Sequence, residues 1–485
     1  MQLTLSLETG SNVPMYQQLA DAIRKVIEGG AVSPGQPLPS SRELAESLAV
    51  SRITVRRSYE TLASQGYIKS FSRGKTIVSK TAVVKRRTAP AELSFAPQRL
   101  SKIGERFADL SDQSEEINSQ WMCGAPSLDS LPVARWRECL YAAIRDTDSE
   151  ILITENDAFG SPFLREEIRK LVFRTRSIDC SIDQIVVFSS TEGGFDLTCR
   201  LLLDEGDTVA VEDPGFSGLR KNFYANGLRP VPIPVDAHGI CTSFLEELTE
   251  PPPLVYVTPS RQDPTGVTLS LERRHKLLRW ANANRSIVIE DDFDSEFRYG
   301  VQSQASLFSI DKNDLVIYRY NFWKALYPLV RLSFLILPAH LVAVFRRAQQ
   351  LLTRDVPLLE QIALGTLIRT GYFERHLKSC HSSYKRKRAS LVHELTKAFT
   401  SRISINRCAG GTSVLVRFHQ MYSEAVICLA ASQSKLRLIS TQLNYYGDYR
   451  PVNEFVIDFS DIDESSISET IKVFEGLCSQ STDVF

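Results

Sequence analysis

From about residue 116 to the end of the chain, apolar runs alternate with amphipathic segments. The runs include IVVFSS, TVAVEDP, LVYVTPS, SIVIEDD and LVIYRY, and amphipathic segments such as FDLTCRLLL and HKLLRWANA lie between them. A strand that is buried on both faces reads as a continuous apolar run, and covering helices alternate with such strands along the chain. The pattern predicts an α/β domain over residues 116–485 with a mostly parallel sheet. We expect a smaller subdomain within it, from about residue 370 to 485.

The first eighty residues have a different pattern. MYQQLADAIRKVIEG shows helical periodicity, Ser40 and Glu43 predict a capping box before a second helix, and Ser51 caps a third. The segment YIKSFSRGKTIVS then alternates apolar and polar residues around a central Arg-Gly pair. These elements predict an α+β winged helix-turn-helix domain over residues 1–80. Residues 81–115 lack sustained periodicity and carry Lys, Arg, Ala, Pro and Ser, which is typical of a linker.

Basic residues are concentrated at the N-terminal end. Residues 1–90 contain thirteen Lys or Arg and six Asp or Glu, a net charge of +7, whereas the 57 basic and 57 acidic residues of the whole chain cancel. A helix that enters the major groove needs base-reading side chains near its start and cations that neutralise phosphates. The third helix and the wing offer both, and the alternative is that this charge run is a solvated helix face. The candidate DNA-binding residues are Arg42, Ser51, Arg52, Thr54, Arg56, Arg73, Gly74 and Lys75.

Cysteine usage and the lack of long apolar stretches argue against several other classes of protein. The nine cysteines are scattered without CxxC spacing, so we expect neither a disulfide framework nor a metal site. The N-terminus lacks the basic start and apolar run of a signal peptide, and no stretch approaches the roughly 20 apolar residues of a membrane span. We therefore expect a cytoplasmic protein that does not contact a membrane.

Two segments of the large domain carry residues suited to pyridoxal phosphate chemistry. That chemistry needs a lysine for a Schiff base, an acid at the pyridine nitrogen and donors for the phosphate. Lys324 follows an apolar strand in VIYRYNFWK, and Asp291 or Asp292 ends another strand in SIVIEDD. An acid at that end of a strand would face the crevice of a doubly wound sheet. Taken singly, however, Lys324 is also compatible with a surface lysine and the acids with a helix cap.

The N-terminal motifs resemble a known family. LPSSRELA and VSRITVRRSYETL resemble the winged-helix pattern of the GntR regulators, and the similarity extends over the whole predicted DNA-binding domain. The resemblance implies binding of a double-stranded DNA operator by a homodimer. The positions that it implies for DNA contact are Arg42, Ser51, Arg52, Arg56 and Gly74.

The large domain resembles the aminotransferase-like half of MocR regulators, a subfamily of the GntR family. The motifs that carry the resemblance are VEDPGF, VTPSRQDPTG and VIEDDFDSEFRY. They imply a fold-type I aminotransferase domain with pyridoxal 5'-phosphate covalently bound to Lys324, Asp291 facing the pyridine nitrogen and Arg331 at the phosphate. The remaining candidate cofactor-binding residues are Thr191, Asp263 and Asn321.

The expected pocket departs from the family pattern at several positions. Phe293 replaces a tyrosine that would hydrogen-bond the phenolic oxygen, and Asp263 replaces the asparagine of an NPTG motif. Glu192 places an acid beside the expected phosphate, whereas Trp323 and Asn321 stand where small hydroxyl residues are expected. NEFVIDFS contains no arginine for a substrate carboxylate. The alternatives for that arginine are Arg402, Arg407, Arg417, Arg437 and Arg450.

Three functions are consistent with these observations. The first is a DNA-binding transcriptional regulator whose aminotransferase-like domain binds pyridoxal phosphate and a small-molecule effector such as an amine or amino acid. The second is the same regulator with a cofactor-free domain that senses another metabolite or mainly dimerises. The third is a working aminotransferase with an appended DNA-binding domain, which we disfavour because a lysine without tuned electronics and substrate positioning gives no turnover. We favour the first function and do not expect an enzyme.

Overall fold

The chain divides into two compact units, residues 1–99 and 100–485. In the described part of the chain, no helix is both long and apolar enough to cross a membrane. The computed structural model describes residues 13–71, 75–79, 100–110, 125–148, 157–300, 304–352, 356–406, 410–419 and 422–480.

The first unit combines helices with a small antiparallel sheet. Its elements are α1 (Met15–Glu28), β1 (Pro37–Leu38), α2 (Ser41–Leu48), α3 (Arg52–Ser64), β2 (Ile68–Ser70) and β3 (Thr76–Val78). The strand order is β1-β3-β2, so the hairpin of β2 and β3 forms the wing. Leu19 and Ile23 of α1 belong to the same buried core as Val55 and Leu62 of α3, which explains the apolar periodicity of both helices. The predicted winged helix-turn-helix is confirmed.

Side-chain caps set where α2 and α3 begin. The Ser40 hydroxyl accepts a hydrogen bond from the backbone N–H of Glu43 at 3.3 Å, and the Glu43 carboxylate accepts one from the N–H of Ser40 at 2.9 Å. This is the predicted capping box, which satisfies donors that the helix itself leaves unpaired. Ser51 caps α3 by accepting from the N–H of Thr54 at 3.0 Å. Between the helices Ala49 adopts a left-handed conformation, which produces the tight turn.

The second unit is built around an eight-stranded, mostly parallel sheet, as predicted. Its strands are β4 (Ile185–Phe188), β5 (Thr208–Asp213), β6 (Arg229–Asp236), β7 (Gly239–Ile240), β8 (Leu254–Val257), β9 (Ile287–Asp291), β10 (Val316–Asn321) and β11 (Ser333–Ile336). Their order across the sheet is β4-β11-β10-β9-β8-β5-β6-β7. Pairing is parallel from β6 through β5, β8 and β9 to β10, whereas β11 is antiparallel to β10 and β4, and β7 is antiparallel to β6.

Helices cover both faces of this sheet. The helices are α5 (Val133–Asp146), α6 (Pro162–Arg176), α7 (Thr191–Leu202), α8 (Leu219–Asn226), α9 (Thr242–Glu246), α10 (Leu271–Asn284), α11 (Leu307–Ile310), α12 (Trp323–Leu326), α13 (Val342–Leu352) and α14 (Leu358–Arg369). Val186 and Val187 are adjacent in β4, but Val186 belongs to a core with α7 and α8 and Val187 to a core with α5, α6 and α14, because strand residues alternate between faces. Burial on both faces is the reason that the strands read as apolar runs.

A second sheet lies in the C-terminal part of this unit, where the sequence predicted a smaller subdomain. Its antiparallel strands have the order β12-β13-β15-β14, and apolar residues including Tyr384, Phe418 and Phe474 form its core with the helices. The elements are α15 (Tyr372–Phe399), β12 (Ile403–Ile405), β13 (Ser413–Phe418), α16 (Glu424–Gln433), β14 (Leu438–Ser440), β15 (Glu454–Asp458) and α17 (Ile467–Gln480).

A short helix, α4 (Lys102–Asp109), lies in the stretch that the sequence assigned to a linker over residues 81–115. It packs beside α8, and the Arg106 guanidinium donates a hydrogen bond to the Glu205 carboxylate at 2.6 Å. These contacts correct the linker prediction for residues 100–110, which belong to the second unit. The other residues of the predicted linker lie outside the described part of the chain.

Candidate functional site

The first turn of α3 is exposed and basic. Arg52 and Arg56 lie one helical turn apart on its exposed side, and Arg42 is exposed in the first turn of α2. The Arg52 guanidinium donates a hydrogen bond to the Ser41 hydroxyl at 3.4 Å, so the starts of the two helices are adjacent. Arg42 and Arg56 each pair with a glutamate one turn further along their own helices at 3.2 Å. Such exposed pairs are weak, so both cations remain accessible to phosphate.

Other predicted DNA-contact residues differ in what surrounds them. The hydroxyls of Ser51 and Thr54 lie 2.8 Å apart, and Ser51 is committed to capping α3. Lys75 is exposed before β3, and its carbonyl accepts a hydrogen bond from the N–H of Phe71 at 2.8 Å across the hairpin. Arg73 and Gly74 lie outside the described residues.

Ile53 is a candidate contact residue that the sequence analysis missed. Its side chain is 69% exposed, beside Arg52 at the start of α3 and away from the buried Val55. A large apolar side chain in that position suits the methyl group of thymine in the major groove. The sequence does contain a signal for this exposure, because Ile53 falls outside the apolar positions of the helix that face the core.

A cavity of about 460 Å³ lies at the carboxyl ends of the parallel strands in the second unit. The loops after β8, β9 and β10 supply Asp263, Phe293 and Lys324, at the sheet edge where open α/β sheets bind ligands. Phe107 of α4 and Val456 of β15 complete other parts of the wall. This volume is in the range of small-molecule sites. Among the described residues, no His, Cys, Asp or Glu side chains are grouped in threes or more to hold a metal ion.

Lys324 is half-buried in the first turn of α12 and lines the cavity. Its Nζ lies 5.8 Å from the centroid of the Phe293 ring and 5.5 Å from that of Trp323. Burial raises the pKa of Asp263 to about 6, although the positive charges of Arg261 and Lys324 oppose this rise. The cavity therefore contains an acid that changes its charge near pH 6 in the field of Lys324.

Asp291 lies at the end of β9 on the floor of the cavity, directly opposite Arg319 in the parallel pairing of β9 with β10. The Arg319 guanidinium and the Tyr256 hydroxyl both donate hydrogen bonds to its Oδ2. Burial raises the pKa of Asp291, whereas the charge of Arg319 and the hydrogen bond from Tyr256 lower it. Its Oδ1 is buried and accepts no hydrogen bond from the described residues. Arg319 was not among the predicted site residues.

The start of α7 and the loop after β10 carry the other predicted cofactor contacts. Thr191 is the first residue of α7, and its side chain lies outside what the structure describes. The Ser190 hydroxyl caps this helix by accepting from the N–H of Gly193 at 2.9 Å. Glu192 lines the cavity with a buried carboxyl group, and this burial raises its pKa. Asn321 also lines the cavity, and its side-chain oxygen accepts from the N–H of Trp323 at 3.2 Å.

The predicted arginines that the structure describes do not line the cavity. Arg331 is exposed, its backbone N–H donates to the Glu360 carboxylate at 3.3 Å, and its guanidinium lies 5.4 Å from the centroid of the Tyr327 ring. In the NEFVIDFS segment, where a substrate-binding arginine was sought, Val456 lines the cavity. Four of the alternative arginines make hydrogen bonds elsewhere, and the fifth, Arg407, lies outside the described residues; the four are Arg402, Arg417, Arg437 and Arg450.

The cavity residues provide some of the contacts that pyridoxal phosphate needs and lack others. Lys324 lines the cavity where it would hold the aldehyde carbon of the cofactor, and Asp291, whose Oδ1 accepts no hydrogen bond from the described residues, would face the edge of the ring that carries the nitrogen. The start of α7 presents the backbone N–H groups and dipole that suit a phosphate. Phe293 offers no donor to the phenolic oxygen and Val456 none to a substrate carboxylate. The residues therefore suit binding of the cofactor better than turnover of an amino acid.

Comparisons with known proteins agree with both units. Residues 15–78 match the family of bacterial regulatory proteins, gntR family, and residues 136–436 match aminotransferase class I and II. The crystal structure of LysN, an alpha-aminoadipate aminotransferase from Thermus thermophilus, superimposes with a TM-score of 0.70, at 21% identity over 80% of this chain and 98% of that one. This similarity supports the fold. Together the two units define a class of protein that joins a winged helix-turn-helix to an aminotransferase-like domain.

Relatives of nearly full length have the same architecture. The chain is 30% identical over 475 residues to the uncharacterized HTH-type transcriptional regulator YdeL of Bacillus subtilis, and the match covers 97% of this chain and 98% of the relative. It is 28% identical over 472 residues to the probable rhizopine catabolism regulatory protein MocR of Rhizobium meliloti, at 96% and 94% coverage. The chain belongs to the GntR family of HTH-type regulators, in the MocR-like group that carries an aminotransferase-like domain. The predicted resemblance is confirmed.

Proposed function

We propose that this protein is a transcriptional regulator that binds operator DNA through α3 and a small-molecule effector in the cavity of its second unit. The observation that carries the DNA-binding part is the exposed pair Arg52 and Arg56 at the start of the second helix of a helix-turn-helix. Side chains at that position reach base edges when the helix lies in the major groove, and Arg42 beside them neutralises phosphate. We further propose that two copies form a homodimer, which would bind an operator with two half-sites.

The test of DNA binding is retardation of a duplex that contains the promoter of the protein's own gene. Arg52→Ala should weaken binding by about 5- to 150-fold, because loss of one base-reading arginine removes ~1–3 kcal/mol. Arg57→Ala is the matched control, since Arg57 lies on the same helix with its guanidinium over the Tyr16 ring of α1. Equal losses from both substitutions would contradict a specific role for Arg52.

We propose pyridoxal phosphate as a ligand of the cavity. Lys324 would hold its aldehyde carbon covalently, the start of α7 its phosphate, and Asp291 the edge of the ring that carries the nitrogen. When bound, the cofactor supplies a reactive carbonyl that exchanges with amines, which makes an amine or amino acid a suitable effector class. Phe293 and Val456 support a sensing role over an enzymatic one, because neither provides the donors that turnover requires.

The test of cofactor binding is the visible absorption band of protein mixed with pyridoxal phosphate. We expect the band in wild type, its loss in Lys324→Ala and its retention in Lys221→Ala, which removes another lysine of the same cavity. The Lys324→Ala variant should keep its DNA affinity and lose only the response to the ligand. Absence of the band in wild type would favour the cofactor-free regulator.

A further inference from the structure

Arg319 is the one charged residue of a mostly apolar and aromatic strand, VIYRYN, every residue of which is buried. The parallel register of β9 and β10 places it opposite Asp291, and both side chains are 3% exposed. A buried cation at this position is expected to have a specific partner, because an unpaired buried charge is strongly disfavoured. Here the partner is the same acid that faces the proposed cofactor.

We propose that Arg319 neutralises Asp291, so that the cavity binds pyridoxal phosphate without keeping a proton on its pyridine nitrogen. The inference rests on the proposed binding of the cofactor. A carboxylate stabilises a protonated pyridine by its negative charge, but a carboxylate that already forms an ion pair has little net charge to offer. Turnover needs a ring that withdraws electrons strongly from the bonds of an attached amino acid. Without the proton on its nitrogen, the ring withdraws them less strongly. Arg319 thus separates sensing from catalysis.

The groups around Arg319 support this assignment. Its guanidinium lies 3.3 Å from the Tyr256 hydroxyl of β8, which also donates to Asp291. Glu192 of α7 lines the same cavity, and burial raises the pKa of its carboxyl group, opposed mainly by the charge of Arg319. Lys324 lies in the loop after β10 on the same side of the sheet. Asp263 and Arg261 also line this cavity, so Asp291 is one of several charged groups there, and Arg319 is the cation paired with it.

The experiment measures the protonation state of the nitrogen directly. Pyridoxal phosphate labelled with ¹⁵N in the ring is bound to wild type, Arg319→Met and the double variant Asp291→Asn/Arg319→Met, and the nitrogen chemical shift is recorded between pH 6 and 9. Wild type should show the shift of an unprotonated nitrogen across this range. Arg319→Met should show that of a protonated nitrogen at the lower pH values, because Asp291 is then without its cation. The double variant Asp291→Asn/Arg319→Met should show an unprotonated nitrogen again, because the acid that would hold the proton is then also gone.

A second measurement follows the rate at which the bound cofactor of the same samples reacts with an amino acid. Arg319→Met should convert bound pyridoxal phosphate to pyridoxamine phosphate in the presence of an amino acid about tenfold faster than wild type for each unit by which the pKa of the nitrogen rises, until protonation is complete. Arg319→Lys keeps a cation near Asp291 and serves as the folding control. It should behave as wild type in the nitrogen spectrum.

The outcomes separate the two proposals. A protonated nitrogen in wild type, or an unprotonated nitrogen in Arg319→Met at pH 6, overturns the role of Arg319 and leaves cofactor binding intact. If no cofactor binds to wild type or to Arg319→Met, both the proposed ligand and this inference are refuted. If Arg319→Met does not fold, the wild-type nitrogen shift still decides the question, because a protonated nitrogen there overturns the role of Arg319.

Discussion

The substitution Arg319→Met should destabilise the second unit by about 3–5 kcal/mol, because it removes one partner of a buried ion pair and leaves the other as an uncompensated charge. Both side chains are 3% exposed, so water cannot replace the missing partner. The Tyr256 hydroxyl continues to donate to Asp291 and reduces the loss without supplying a charge. Methionine fills most of the space of the arginine stem, so the loss is mainly electrostatic.

The double variant Asp291→Asn/Arg319→Met tests whether the loss of stability comes from the uncompensated charge. Removal of both charges should return the stability to within ~1 kcal/mol of wild type, since a buried pair often contributes little beyond the penalty for breaking it.

The loss of unfolding free energy in the single variant Arg319→Met should also depend on pH. Burial raises the pKa of Asp291, so the folded variant holds this proton more tightly than the unfolded chain. The loss should therefore be largest above the folded pKa and should shrink as the pH falls toward the ordinary value of 3.8.

Tryptophan fluorescence during urea unfolding is the suitable assay. All four tryptophans lie in the second unit, so the signal does not report on the winged helix; they are Trp121, Trp136, Trp280 and Trp323. Phe345→Ala serves as a comparison, because it removes a fully buried apolar side chain of the same unit without leaving a charge, and its loss should not depend on pH. A single variant within ~1 kcal/mol of wild type, or a double variant less stable than the single one, would refute the electrostatic reasoning.

Three further predictions concern the cavity and the DNA-binding unit. The affinity for pyridoxal phosphate should fall as the pH rises through about 6, because Asp263 ionises there beside an anionic ligand, and a titration of the Asp263→Asn variant should be flat in this range. Phe107→Ala should weaken ligand binding about fivefold by fluorescence titration, since ~1 kcal/mol of apolar contact is lost, whereas Ile103→Ala on the same helix should not. Ser40→Ala should lower the stability of the first unit by ~1 kcal/mol in calorimetry, and Ser47→Ala, which removes no cap, by clearly less.

The parts of the fold that the sequence predicts well are those with strong local signals. Ser40 and Glu43 form the capping box because their spacing alone brings the hydroxyl and carboxylate to the free donors of the first turn. The strands of the large sheet are buried on both faces, and their apolar runs follow directly from that burial. Lys324 and Asp291 could also be placed at one sheet edge, because the carboxyl ends of parallel strands lie side by side.

Helix α4 shows a local signal that was overlooked. Leu100, Ile103, Phe107 and Leu110 recur at helical spacing in a segment otherwise typical of a linker. The stretch is short, and the basic and proline-rich residues before it dominate the composition. Its docking against α8 and its place in the cavity wall depend on contacts with residues more than a hundred positions away, which no local pattern encodes.

The two acids at the end of β9 show most clearly why the site itself could not be predicted in full. Strand alternation requires that Asp291 and Asp292 face opposite sides of the sheet, but it does not decide which side carries the cavity. The structure gives each acid its own arginine. Asp291 pairs with Arg319 on the cavity side, and Asp292 lies behind the sheet, 2.8 Å from Arg176 and 2.6 Å from the Tyr318 hydroxyl.

Each acid keeps one buried oxygen that accepts no hydrogen bond from the described residues, so the two pairs differ in the direction of the pKa shift and in which acid lines the cavity. Burial raises the pKa of Asp292, but Arg176 and the hydrogen bonds outweigh it, so this pKa is lowered and its carboxylate is a fixed structural anion. Asp291 keeps one unpaired oxygen at the cavity floor, and its pKa is raised because burial outweighs Arg319 and Tyr256. An acid held in that state contributes little net charge to a ligand in the cavity. This arrangement supports the proposal that the cavity binds the ring of a ligand without activating it.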